Sequence, residues 1–127
     1  MRTIRFRGKN KETGEWVIGS LLISKQGVYI VPLPYINHSL VEVDENSVGK
    51  YTDLKDKNGT KIYEGDIIGD KNGIGVVLYK DGILGIASYS YGFEHITDWT
   101  AFDHGIDYPD RLSIMGNIYD NPELLNE

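Results

Sequence analysis

Apolar and polar positions alternate along most of this chain in short runs, and glycine, asparagine and aspartate separate the runs. A period of two over four to nine residues is the pattern of half-buried β-strands, so strands joined by tight turns are predicted throughout. Arg2–Arg7 is the first strand, with Ile4 and Phe6 inward and Thr3, Arg5 and Arg7 outward. Gly8–Gly14 is a polar loop. Glu15–Ser24 carries apolar residues on both parities, Trp16, Ile18 and Leu22 on one and Val17, Leu21 and Ile23 on the other, which predicts a central strand covered on both faces. A turn at Gln26–Gly27 leads into Val28–Val31, and Pro32 and Pro34 end regular pairing because each lacks a backbone N–H. Leu40–Val43 is a further short strand, and Asp44–Ser47 a single helical turn capped by Asp44.

The middle of the chain, Val48–Ile68, turns at Asn58–Gly59, a pair that suits the positive φ angles of a two-residue type I′ hairpin. Leu54, Ile62 and Tyr63 anchor its arms, leaving Lys55, Asp56, Lys57 and Lys61 as the solvated remainder. Glu64–Gly65–Asp66 then feeds Ile67–Ile68 into a core. Further turn signals at Lys71–Gly73 and Asp81–Gly82 separate the runs Ile74–Lys80 and Ile83–Ser88, the layout of an antiparallel meander. Ile96–Asp110 is expected to be a long acidic loop and Arg111–Tyr119 the last strand. Asn121–Pro122–Glu123 has the form of a helix start, whose short continuation through Leu124–Leu125 must pack elsewhere to hold.

Three blocks in order, MRTIRFRGKN…GEWVIGSLLI, VGKYTDLKDKNGTKIYEGDII and GNIYDNPELL, resemble the YopX family of phage and prophage proteins. Asp53 departs from the family phrase, which usually reads Thr-Gly-Leu; where such a position needs a positive φ, Asp is tolerated but poorer than Gly. The resemblance implies an intracellular, mainly β protein of two small parts whose role is not established, and it brings no catalytic residues. Together with the pattern above, the expected fold is mainly β (all-β to α+β) with short antiparallel strands. A small N-terminal sheet over residues 1–47 packs with an SH3-like small barrel over 48–127, which ends in a short helical turn.

Composition changes this picture little, but charge does. The 127 residues fit one domain or two compact subdomains. Cysteine is absent, which removes disulfides and thiolate metal sites. No apolar core follows the basic N-terminus and the most apolar stretch, Val28–Ile36, is short and broken by proline, so neither signal peptide nor membrane span is expected. Residues 1–64 carry 10 Lys/Arg against 8 Asp/Glu, whereas residues 65–127 carry 3 against 11. The basic excess is concentrated in Arg2, Arg5, Arg7, Lys9 and Lys11. Such a cluster suits phosphate contacts; equally, it is the solvated face of an alternating strand, and the net charge of −6 favours that explanation.

Tyr89, Tyr91, Phe93 and His95 share one parity, so in an extended chain they would form an aromatic row able to anchor a partner, or to pack on a neighbouring strand. His95, His104, Asp98, Asp103, Asp107 and Asp110 supply acids and imidazoles without the spacing of a standard metal site, and no metal or cofactor is expected. No nucleophile elbow, phosphate loop or H-E-x-x-H is present, and Gly73–Ile74–Gly75 lacks the third glycine and the helix of a nucleotide fingerprint.

The expected function is therefore a non-catalytic phage or prophage accessory protein acting in the host cytoplasm. It would bind a host or phage protein through Tyr89–His95, or a second copy of itself in a homo-oligomer. One alternative is a nucleic-acid-associated factor using Arg2–Lys11 and the aromatic row; another is an enzyme with a non-standard acid and histidine site.

Overall fold

The computed structural model describes residues 4–33, 39–70, 73–89, 96–101 and 112–125. Eleven strands occur there: β1 (Phe6–Lys9), β2 (Trp16–Ser24), β3 (Gly27–Pro32), β4 (Val41–Glu42), β5 (Gly49–Lys55), β6 (Lys61–Tyr63), β7 (Asp66–Asp70), β8 (Gly73–Lys80), β9 (Ile83–Tyr89), β10 (Ile96–Ala101) and β11 (Ser113–Asn117). They form two sheets, in the orders β4-β3-β2-β1-β5-β6 and β10-β9-β8-β7-β11. All the registered pairings are antiparallel. The protein is thus mainly β, as the alternation predicts. The chain divides into two compact units, Met1–Tyr51 and Thr52–Glu127.

In the first unit, β1 to β4 curl until their ends meet. Asn10 bridges Val43, the Lys11 N–H donates to Glu42 O at 2.9 Å, and the Asp44 N–H donates to Lys9 O at 2.9 Å. The four strands therefore close on themselves, with Ile30 and Val43 buried on the inner side. Closure is tight because Gly8 carries no side chain: a Cβ there would lie 3.1 Å from Val43 Cβ and 3.2 Å from Ile30 Cδ1. Gly8 takes the inward place that alternation assigns to Ile4, which is 67 % exposed because pairing with β2 begins only at Phe6. The turn Glu45–Ser47 has the expected cap, the Asn46 N–H donating to Asp44 Oδ1 at 3.0 Å. Its buried Ser47 accepts the Lys9 N–H at 2.8 Å and ties the turn to β1.

In the second unit, β7 supplies both faces of its sheet with core. Ile68 packs with Ile62, Val77 and Ile86 on one side, and Ile67 packs with Val76 and Leu125 on the other. Full burial of each such side chain is worth about 1.5–3 kcal/mol, which explains why an adjacent apolar pair sits on an interior strand of the sheet. The short helical turn Pro122–Leu125 delivers Leu125, as its sequence signature predicts. Asp81 (φ 53°) and Gly82 (φ 82°) form a two-residue hairpin between Lys80 and Ile83, the conformation a type I′ turn requires.

Gly8 and Lys9, expected in a loop, belong to β1, and three other expectations change as well. Asn58–Gly59 does not make a two-residue hairpin: the connection runs from Asp56 to Thr60, whose ends pair through the Asp56 N–H and Thr60 O at 2.9 Å. Asp56, expected among the solvated residues, is 5 % exposed. Ile96–Ala101, expected to open a loop, is strand β10, because it pairs with β9 in a ladder from Ile96–Tyr89 to Ala101–Gly85.

Candidate functional site

The outer side of the first unit is set by pairing register. Arg7 lies opposite Ile18, Lys9 opposite Trp16, and Leu22 opposite Tyr29, so these six side chains share one face. Arg5 is on the same parity, and continuing the β1–β2 register puts it beside Ser20, between Ile18 and Leu22. The face thus combines an apolar stripe along β2 with cations along β1.

Its geometry is partly fixed. The Arg7 guanidinium carbon lies 4.5 Å from the centre of the Trp16 ring and the Lys9 ammonium 5.5 Å from it, both within cation–π range. Lys11 stands further along and pairs with Glu42 at 3.4 Å, an exposed bridge worth little. Arg5 Nε is enclosed without a hydrogen-bond partner. Down the stripe, Ile18 is 41 % and Leu22 44 % exposed. That departs from the expectation that β2 is covered on both faces. Gly19 of its inner parity is buried, Ile23 at the far end of that parity is 69 % exposed, and the outer parity meets solvent; periodicity alone cannot tell a covered apolar residue from an exposed one.

The sequence-derived site residues divide as follows. Arg5, Arg7 and Lys9 come together on this face, Lys11 lies in the turn after it, and Arg2 is outside the described residues. Tyr89 ends β9 with its backbone opposite Ile96, while Tyr91, Phe93 and His95 are outside the described residues, as is His104. Ile18 and Leu22 were not singled out by sequence. The signal that could have found them is an apolar parity continuing across a strand whose other parity already fills a small interior. Among the described residues no group of three or more His, Asp or Glu could hold a metal ion, and no helix is long and apolar enough to cross a membrane.

The model of the YopX protein family matches residues 5–126, nearly the whole chain. The chain belongs to the YopX family. A solved structure with the same fold is the crystal structure of protein EF1440 from Enterococcus faecalis. It is 21% identical over 99% of this chain and 100% of that one, with a TM-score of 0.50. No curated protein matches this YopX protein.

Proposed function

We propose that this YopX protein is a non-catalytic binding module whose first unit presents the contact surface on its outer face. The observation that carries the reading is the exposure of Ile18 and Leu22 in line on β2, bordered by Arg5, Arg7 and Lys9. Apolar residues flanked by arginine and an aromatic are the composition of protein contact surfaces, where desolvation of a few anchors supplies most of the affinity. The family resemblance supports a phage or prophage accessory role in the host cytoplasm. A second contact surface at Tyr89, Tyr91, Phe93 and His95 belongs to the same proposal and rests on sequence parity.

The test is a pull-down from host cells with tagged protein, nuclease-treated and run over a salt series, beside the double variant Ile18→Ser/Leu22→Ser. Ile18 is 41 % and Leu22 44 % exposed, so the variant is expected to keep its circular dichroism spectrum with a modest fall in melting temperature. A discrete protein captured by the parent and lost by the variant is the expected result. Equal capture by both would remove the outer face from the proposal. Recovery of nuclease-sensitive material that washes off with salt would replace a protein partner by nucleic acid.

A further inference from the structure

Resting on that reading of the outer face, we infer that its partner is an extended protein segment carrying a carboxylate between two apolar residues, in the pattern apolar-x-acid-x-apolar. Three observations converge on this chemistry. Ile18 and Leu22 are the exposed apolar positions of the stripe, and four residues of strand separate them by about 13 Å at about 3.3 Å per residue. An extended segment spans that distance with residues four apart, and its middle residue points to the same side.

The second observation is what lies beside the midpoint. Continuing the β1–β2 register by one residue from Phe6–Gly19 places Arg5 next to Ser20, halfway between the two apolar positions. Its Nε is enclosed without an acceptor, and among the described residues no carboxylate is paired with Arg5. The guanidinium charge is therefore not neutralised from within the described chain. A carboxylate beside its terminal nitrogens gains a charge-assisted hydrogen bond while the flanking side chains cover Ile18 and Leu22. Arg7 and Lys9 extend the positive field toward the Trp16 end of the stripe and reinforce the choice of an acid over a base.

The third observation separates this partner from single-stranded nucleic acid, which also wants cations and aromatics. Base stacking needs an open ring face. The Trp16 ring already has the Arg7 guanidinium 4.5 Å from its centre and Lys9 at 5.5 Å. Along β2 beyond it Ile18 and Leu22 offer a base no stacking platform, and the next ring on the face, Tyr29 opposite Leu22, stands about six residues of strand, roughly 20 Å, from Trp16, too far to stack successive bases.

The experiment uses the full chain against an array of decapeptides with leucine or isoleucine at two positions four apart and Glu, Gln or Lys midway, read by fluorescence anisotropy. An oligothymidylate of matched length runs in parallel. The Glu peptides are expected to bind at least about tenfold more tightly than the Gln peptides, as a charge-assisted hydrogen bond implies, and the Lys peptides more weakly still. Arg5→Gln is expected to erase the difference between Glu and Gln, while Leu22→Ser weakens both series alike. Preference for Lys at the centre, a Glu preference that survives Arg5→Gln, or no binding by any peptide overturns the inference. Oligothymidylate binding that displaces the Glu peptides also overturns it, in favour of nucleic acid. A cellular partner lost with Ile18→Ser/Leu22→Ser but indifferent to Arg5→Gln leaves the outer face as the contact surface and removes only the acidic partner.

Discussion

Asp56 and Ile114 are 58 residues apart in the chain and meet through a hydrogen bond, the Ile114 N–H donating to Asp56 Oδ2 at 3.0 Å. The other carboxylate oxygen accepts from the N–H groups of Asn58 and Thr60, each at 2.9 Å. Beside them the Lys57 N–H donates to Leu112 O at 3.0 Å. One aspartate therefore shapes the β5–β6 connection and fastens it to the start of β11. That arrangement explains why the connection is longer than its Asn-Gly pair suggests: a two-residue turn leaves no place for the carboxylate inside it.

Replacing Asp56 by Ala leaves three N–H groups without their acceptor at a buried position. Hydrogen bonds to charged groups are worth about 1.5–3 kcal/mol each, and partial rescue by water reduces the sum. A loss of about 3 kcal/mol is expected in urea unfolding. Asp56→Asn retains an acceptor for the loop but turns a donor or a weaker acceptor toward Ile114, so its loss should be smaller.

The same site makes stability depend on pH. Burial pushes the Asp56 carboxyl up, but the N–H groups of Ile114, Thr60 and Asn58 and the nearby Lys57 charge together outweigh it and hold the group below its ordinary 3.8. A carboxyl depressed by folding contributes stability that is fully present above its unfolded value and is lost as pH falls through the folded one. Melting curves of the parent should therefore fall more steeply below about pH 4 than those of Asp56→Asn. Parallel curves for the two proteins would contradict the assignment.

Asp53 sits at φ 68°, in the left-handed region. An ordinary side chain there costs about 1–2 kcal/mol, partly offset by the extra chain freedom glycine loses on folding. Asp53→Gly should raise stability by up to about 1 kcal/mol, and Asp53→Val should lower it. The measurement is the denaturant midpoint at constant slope.

Closure of the first four strands depends on the space at Gly8. Gly8→Val would drive methyl groups into Val43 and Ile30, whose nearest atoms are already 3.1 and 3.2 Å from a Cβ at that position. Overpacking of this kind costs about 1–3 kcal/mol. Amide exchange should quicken at Lys11 and Asp44, whose N–H groups make the closing hydrogen bonds.

Local chemistry made several features legible. Asp81–Gly82 needs no distant partner to turn, because Asp and Gly tolerate positive φ by themselves. Asp44 caps its own turn, and the signature at Asn121–Pro122 foretells the one that brings Leu125 back to the core. The poorer fit of Asp at position 53 was readable too, since the family phrase carries Gly where the backbone is left-handed. Pattern also separated the parities of β1 and β2, and with them the grouping of Arg5 and Arg7 on one side.

What pattern could not supply was which parity is covered and which polar group is enclosed. Asp56 reads as a surface charge because the N–H that helps to justify its burial belongs to Ile114, far along the chain. Ile96–Ala101 reads as loop because its polar residues hide a strand that only the edge of β9 organises. Ile18 and Leu22 read as core because alternation measures direction, not cover. The sequence by itself determined that this chain folds into short antiparallel strands with turns at particular residues, since those preferences are local. Only the tertiary structure decided that the first four strands close on a small interior and leave an apolar, cation-bordered face outside, because closure depends on contacts between residues the sequence holds apart.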